Sequence, residues 1–206
     1  MHRRDICKKF GDDYVADDRT FKMGNDCRFT EHMAGRFAGM RVFEACTGGG
    51  FTTIALAREA THVTTVEIDP AIQMQARANV ERAGLLERVT FVIGDAMDEG
   101  ILDGYPPVEA AFLDPDWAVT GDEHVYRFKR SNTQPPADAL LERALRLTPH
   151  VAIVLPPLVA LRELEWLPTH ERQELHLGDS HELYCLYFGS VARTVGQTRL
   201  HVNREE

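Results

Sequence analysis

Apolar runs of strand length alternate along the chain with amphipathic stretches, the order expected of a βαβα sheet with helices on both faces. MRVFEA (residues 40–45) predicts a first strand and GGFTTIALAREA (49–60) a helix entered through glycines. HVTTVEI (62–68), rich in β-branched residues, predicts a second strand. Asp69 and Pro70 then suit an N-cap and first helical position, opening a helix that runs to the Ala83 region and stops near Gly84. VTFVI (89–93) and VEAAFL (108–113) predict the third and fourth strands, DALLERALRL (138–147) a helix and VAIVL (151–155) the fifth strand. Two late strands fall around ERQELHL (171–177) and ELYCLYFG (182–189), giving seven strands in a doubly wound, mostly parallel α/β sheet. Residues 1–38 read as a short helical segment placed before a single sheet domain over 39–206. Connections are short except for residues 114–136, and long loops at the carboxyl ends of parallel strands are where such sheets place their sites.

Composition narrows the partners. A chain of 206 residues with 44% hydrophobic and 27% charged content suits one soluble domain, and its apolar runs are too short to span a membrane. The start, MHRRDICKKF, lacks the apolar stretch of a secretory signal, which predicts a cytoplasmic protein. Cys7, Cys27, Cys46 and Cys185 lie far apart with no CxxC pair, so the expectation is reduced, mostly buried thiols and no metal site. The net charge of −9 argues against a protein that coats nucleic acid by general electrostatics. Residues 1–41 nevertheless hold nine Lys or Arg against seven Asp or Glu, and the remainder 14 against 25. That basic segment suits a local nucleic-acid contact, and a solvated arm of mixed charge explains it equally well.

Three motifs mark the strand ends. EACTGGG (44–50) joins the first strand to its helix, with Gly48 and Gly50 allowing a tight turn and close backbone approach to a ligand. A dinucleotide fingerprint would need glycine where Thr53 stands, and the Gly-Lys-Ser/Thr of a P-loop is absent, which disfavours NAD and ATP. Glu67 ends the second strand, nineteen residues after Gly48, where an acid can accept bonds from both hydroxyls of a ribose. Asp95, in IGDAM (93–97), ends the third, where a carboxylate can meet an adenine amino group. Together they outline one adenosine-containing ligand.

These motifs resemble those of the Rossmann-like S-adenosylmethionine-dependent methyltransferases, and within them the chain is most similar to the trimethylguanosine synthase (RNA cap guanine-N2 methyltransferase) family. The resemblance rests on residues 29–57, on VEIDPAIQMQARANVERAG (66–84), on FVIGDAMD (91–98) and on FLDPDW (112–117). It implies S-adenosyl-L-methionine as cofactor, S-adenosyl-L-homocysteine as product and no metal. Glu44, Ala45, Cys46, Thr47, Gly48 and Gly50 would then flank the methionine portion, Glu67 and Ile68 the ribose, and Asp95 and Ala96 the adenine, with Asp114 also at the cofactor. In the (D/N)PP(W/Y/F) amino-methyltransferases the first side chain and a proline carbonyl take up the amine hydrogens and the aromatic ring stacks on the base. Asp114, Pro115 and Trp117 match those places.

Asp116 departs from that pattern, which has proline there; a second carboxylate suits the two donors of a guanine N1 and N2 edge, or simply faces solvent. Arg127, Lys129 and Arg130, with Tyr126 and Phe128, form an aromatic-basic loop suited to a phosphate and a base, though an ordinary surface loop reads the same way. The function implied is N-methylation of an exocyclic nucleobase amine, guanine N2 in RNA, with RNA as partner and no membrane. DNA, protein glutamine and a small molecule remain as other acceptors. A non-catalytic S-adenosylmethionine- or RNA-binding module remains as another class.

Overall fold

The computed structural model describes residues 2–117 and 126–203. The long stretch expected at 114–136 is therefore described only outside 118–125. Two compact units divide at Ala110 and Ala111.

The first unit opens with three short helices, α1 (Arg3–Phe10), α2 (Asp18–Met23) and α3 (Cys27–Ala34). Asp17 and Thr20 cap α2 reciprocally, and the Asp26 carboxylate caps α3 at the Arg28 amide, satisfying N–H groups that have no partner inside the helix. Three parallel strands follow in the order β3 (Val89–Ile93), β2 (His62–Glu67), β1 (Arg41–Ala45), joined through α4 (Phe51–Glu59) and α5 (Pro70–Arg82). α5 starts as its sequence dictates: Pro70 occupies the first turn, and the Asp69 carboxylate accepts the Ala71 amide at 2.9 Å. Val42, Phe43, Ile54, Leu56, Val63, Val66 and Val80 are buried, so strands and helices share one core.

The helical segment packs onto α4. Phe10 stacks on Phe51 with ring centroids 3.6 Å apart, and Tyr14 lies against the same ring at 6.2 Å. A side chain at Gly24 would collide with both Phe51 and Phe10, at 2.7 and 2.8 Å, so glycine is required there by close approach.

The second unit holds five strands in the order β4 (Ala110–Leu113), β5 (Val151–Leu155), β7 (Ser180–Phe188), β6 (His170–Leu177), β8 (Gly196–Val202), with α6 (Ala137–Leu147) between β4 and β5. β4 and β5 are parallel, β7 runs antiparallel to both β5 and β6, and β8 returns parallel to β6. The described strands thus number eight, not seven. β8 escapes a reading by hydrophobicity because it is an edge strand whose side chains alternate between exposed and half-buried. Residues 94–109 and 156–169 also correct the expectation of one long connection, since both are long and built of turns. Of the cysteines only Cys185 is buried; Cys7, Cys27 and Cys46 are half-buried, a correction to the expected burial.

Register aligns three imidazoles across this sheet. His176 pairs with His181 beyond an irregularity at Leu175/His176, and also with His201, with ring centroids 4.8 Å apart in both pairs. Glu174 and Arg199 flank the stack, and Tyr184 lies edge-on to His181. Among the described residues no cluster of three or more His, Cys, Asp or Glu suits a metal ion. Burial first, and the His176 ring second, hold His181 below the usual histidine range. The unfolded chain therefore binds a proton here more readily, and stability is expected to fall as pH drops through about 6.5, the unfolded value, toward the lowered folded value. Urea midpoints between pH 7.5 and 5.5 check this, with a shallower pH slope expected for His181→Gln.

Candidate active site

Backbone geometry forms the first part of the site. β1 leaves the sheet at Cys46, which takes a positive φ of 70°, a conformation that costs a non-glycine residue energy and persists because its surroundings hold it. The Cys46 and Thr47 amides both donate to the Val66 carbonyl of β2, at 3.0 and 3.3 Å, and the Thr47 and Thr65 hydroxyls are 2.5 Å apart. The chain then turns through Gly48 and Gly50 into α4. Gly50 is demanded twice: its φ is 80°, and a Cβ there would lie 3.0 Å from Ala76 of α5. Gly50→Ala is expected to cost about 2 to 4 kcal/mol of stability through left-handed strain and overpacking, read as a lowered denaturation midpoint. Gly48 differs, because a methyl on it would meet no atom within 4 Å. Its missing side chain leaves space beside the loop.

Glu67 closes the loop from below. Its Oε2 accepts the Gly48 amide at 3.0 Å and its Oε1 the Asp69 amide at 3.1 Å, and the residue is only 9% exposed. A carboxylate offers about four acceptor sites, so one bond at each oxygen leaves capacity for two further donors. Ile68 beside it is 67% exposed, a large apolar side chain turned toward solvent at a strand end. The Glu67 carbonyl accepts the Gly94 amide at 3.0 Å, tying β2 to the turn that carries Asp95 and Ala96. Asp95 is exposed, with Oδ1 accepting the Met97 amide at 2.8 Å, whereas Ala96 is buried.

Glu44 is buried and its Oε2 accepts the Thr53 hydroxyl at 2.6 Å. Thr53 occupies the place where a dinucleotide fingerprint would have glycine, and here that position holds the motif's acid in place. Asn79 of α5 was not singled out from the sequence. Its amide donates to the Gly49 carbonyl at 2.9 Å and the Val15 carbonyl at 2.8 Å, while its oxygen accepts the Val15 amide at 2.7 Å. A signal existed: Asn79 lies between Ala76 and Val80 on the buried side of the helix, where a polar residue needs partners.

In the second unit Asp114, Pro115, Asp116 and Trp117 continue directly from β4. Asp114, Asp116 and Trp117 are half-buried and Pro115 is buried. Asp116 is extended, its amide donating to the Gln134 carbonyl at 2.8 Å and its carbonyl accepting the Gln134 amide at 2.9 Å. Trp117 meets Tyr126 edge to face with centroids 6.2 Å apart, and the Tyr126 hydroxyl donates to the Trp117 carbonyl. The indole is thereby fixed from ring and backbone at once. Arg127, Lys129 and Arg130 are exposed on the loop that begins at buried Tyr126. The Phe128 and Lys129 amides donate to Glu163 Oε2, at 2.8 and 2.9 Å, so that loop has defined anchors.

A family model described as RNA cap guanine-N2 methyltransferase matches residues 39–190. The chain belongs to this family. Its fold is that of the Rossmann-like S-adenosylmethionine-dependent methyltransferases, as its motifs imply. Among curated relatives, the chain is 28% identical to trimethylguanosine synthase of Schizosaccharomyces pombe over 75% of this chain and 69% of that one. It is 40% identical to catechol O-methyltransferase of Mycobacterium tuberculosis, over 41% of this chain and 40% of that one, so it spans well under half of that relative. A solved structure described as a methyltransferase from Porphyromonas gingivalis W83 superposes with a TM-score of 0.73 at 18% identity, covering 89% of this chain and 47% of that one. Among the described residues no helix is long and apolar enough to cross a membrane.

Proposed function

We propose that this chain transfers a methyl group from S-adenosylmethionine to an exocyclic amine of a nucleobase, guanine N2 in RNA. The observation that carries the reading is the Asp114-Pro115-Asp116-Trp117 run at the end of β4, in a chain that also bears the glycine loop and Glu67. Two features support the cofactor: the space beside Gly48, and a mostly buried Glu67 carboxylate with capacity for both ribose hydroxyls. Ile68 supplies an apolar surface at the same strand end, and Asp95 and Ala96 would face the adenine. Glu44, Ala45, Cys46 and Thr47 shape the loop for the methionine portion.

When bound, S-adenosylmethionine supplies a methyl carbon already activated toward a nucleophile. The residues of the chain therefore have to align the nitrogen and manage its hydrogens. A nucleobase amine is a weak nucleophile because its lone pair is delocalised into the ring. Asp114 and the Pro115 carbonyl would accept hydrogen bonds from its two N–H groups and favour the pyramidal form whose lone pair points at the methyl carbon. As the N–C bond forms, the methyl carbon's bond to sulfur breaks, and the surplus proton on nitrogen leaves to Asp114 or water. Alignment of this kind can remove about 7 to 11 kcal/mol from a barrier. Trp117 would stack on the base, worth about 1 to 3 kcal/mol, and a cationic base such as 7-methylguanine would add about 0.5 to 2 kcal/mol. Asp116 would accept from the guanine N1 and N2 edge, and Arg127, Lys129 and Arg130 would meet phosphate. The helical segment of residues 1–38 serves as an appended arm of the 39–206 domain, and a cytoplasmic setting suits the chemistry.

Because Asp116 stands where the amino-methyltransferase pattern has proline, the acceptor is the point to test, with a small-molecule amine as the second reading. The deciding experiment incubates the protein with labelled S-adenosylmethionine and either RNA or a panel of small amines, then digests the RNA and identifies methylated nucleosides by mass spectrometry. N2-methylguanosine supports the proposal. Label in small amines alone overturns it.

A further inference from the structure

Trp166 is 79% exposed, so burial in the core does not account for an indole at this position. The Lys129 ammonium lies 5.4 Å from its ring centroid, a cation–π distance. The two segments are fastened together beneath this pair. The Tyr126 amide donates to the Leu158 carbonyl at 3.0 Å, the Ala160 amide donates to the Tyr126 carbonyl at 2.8 Å, and Glu163 holds the Phe128 and Lys129 amides. Leu164, 1% exposed, anchors the segment two residues before Trp166. Buried Tyr126 and Phe128 alternate with exposed Arg127 and Lys129, and Arg130 is exposed next to them. Two nearby carboxylates are engaged on backbone: Glu163 on the amides just named, and Asp138 on the amides of Arg130 and Ser131. Exposed Glu165 is a further opposing charge next to the tryptophan. In a chain of net charge −9, an exposed indole under the Lys129 ammonium, on a loop that carries exposed Arg127 and Arg130 as well, is a local exception.

An aromatic face next to Lys and Arg has the two elements that single-stranded nucleic acid requires, a surface for a base and charge for its phosphates. We propose that Trp166, with Lys129, Arg127 and Arg130, is a second base-stacking platform, which grips single-stranded RNA flanking the methylated nucleotide. The inference rests on the RNA reading above and adds to Trp117 a position reserved for an unmodified neighbour.

Fluorescence anisotropy with an end-labelled, unstructured 20-nucleotide RNA tests it on the full chain. Trp166→Ala is expected to weaken binding by about tenfold, and Trp166→Phe to retain most of the affinity. Lys129→Gln is expected to lower the slope of log affinity against log salt by about 0.7. Trp166→Ala should leave unchanged both calorimetric S-adenosylmethionine affinity and methyl transfer to a guanosine mononucleotide, which has no flanking nucleotide. Unchanged RNA affinity in Trp166→Ala, with the parent binding RNA, overturns the platform and leaves the proposed function standing. Equal, Trp166-dependent binding of DNA of the same sequence overturns the assignment to RNA. A parent that neither binds nor methylates RNA overturns both readings.

Discussion

Asp114→Ala is expected to lower single-turnover methyl transfer by about 10²- to 10³-fold, the range seen when one preorganised polar group is removed from a reacting centre. The carboxylate directly follows β4, and the chain just after it is tied down, Asp116 through its two backbone bonds to Gln134 and Trp117 through Tyr126. The change thus removes an acceptor from a chain segment held by other groups. Asp114→Asn separates two roles. It keeps one acceptor oxygen but loses the charge, so intermediate activity assigns Asp114 to orienting the amine, whereas activity as low as alanine assigns it to the developing positive charge on nitrogen. Calorimetry with S-adenosylmethionine on the same variants shows whether the loss lies in binding or in transfer. Full transfer by Asp114→Ala would remove the motif from the chemistry.

Glu67→Ala is expected to weaken S-adenosylmethionine binding by about 10²- to 10⁴-fold. Hydrogen bonds to a charged acceptor contribute about 1.5 to 3 kcal/mol each, and the ribose would make two. The variant also leaves the Gly48 and Asp69 amides without their carboxylate partner, so the glycine loop loses its brace as well as its ligand contact. Glu67→Gln tests the balance, since its amide offers one acceptor oxygen where the carboxylate has two. Its affinity should fall between parent and alanine. A dissociation constant within threefold of the parent for Glu67→Ala, in a variant with an unchanged melting curve, would place the ribose elsewhere.

Much of this arrangement was legible from sequence because it is local. β3 and β5 coincide with the apolar runs at 89–93 and 151–155, and the start of α5 is written in the pair Asp69-Pro70. Glu67 could be picked out because the distance from glycine turn to strand end is set by one helix and one strand. What escaped is non-local. β8 is held by hydrogen bonds to β6 and by Thr198 to Glu171, Gln197 to Glu174 and Arg199 to Glu174, contacts reaching back more than twenty residues, with little hydrophobic pattern to reveal them. Asn79 is legible only as a polar residue on an apolar face, since its partner Val15 lies 64 residues earlier. The clasp between Trp117 and Tyr126 likewise joins residues that no local pattern pairs.

The family model's match begins at residue 39, yet part of what steadies the glycine loop comes from earlier in the chain. Asn79 holds the carbonyls of Gly49 and Val15 with one amide, and Phe51, the first residue of the helix after the loop, has Phe10 stacked on its ring. The extent of the family match and the extent of mechanical support thus differ in this molecule. A gene fragment trimmed to residues 39–190 would encode the glycine loop without its buttress.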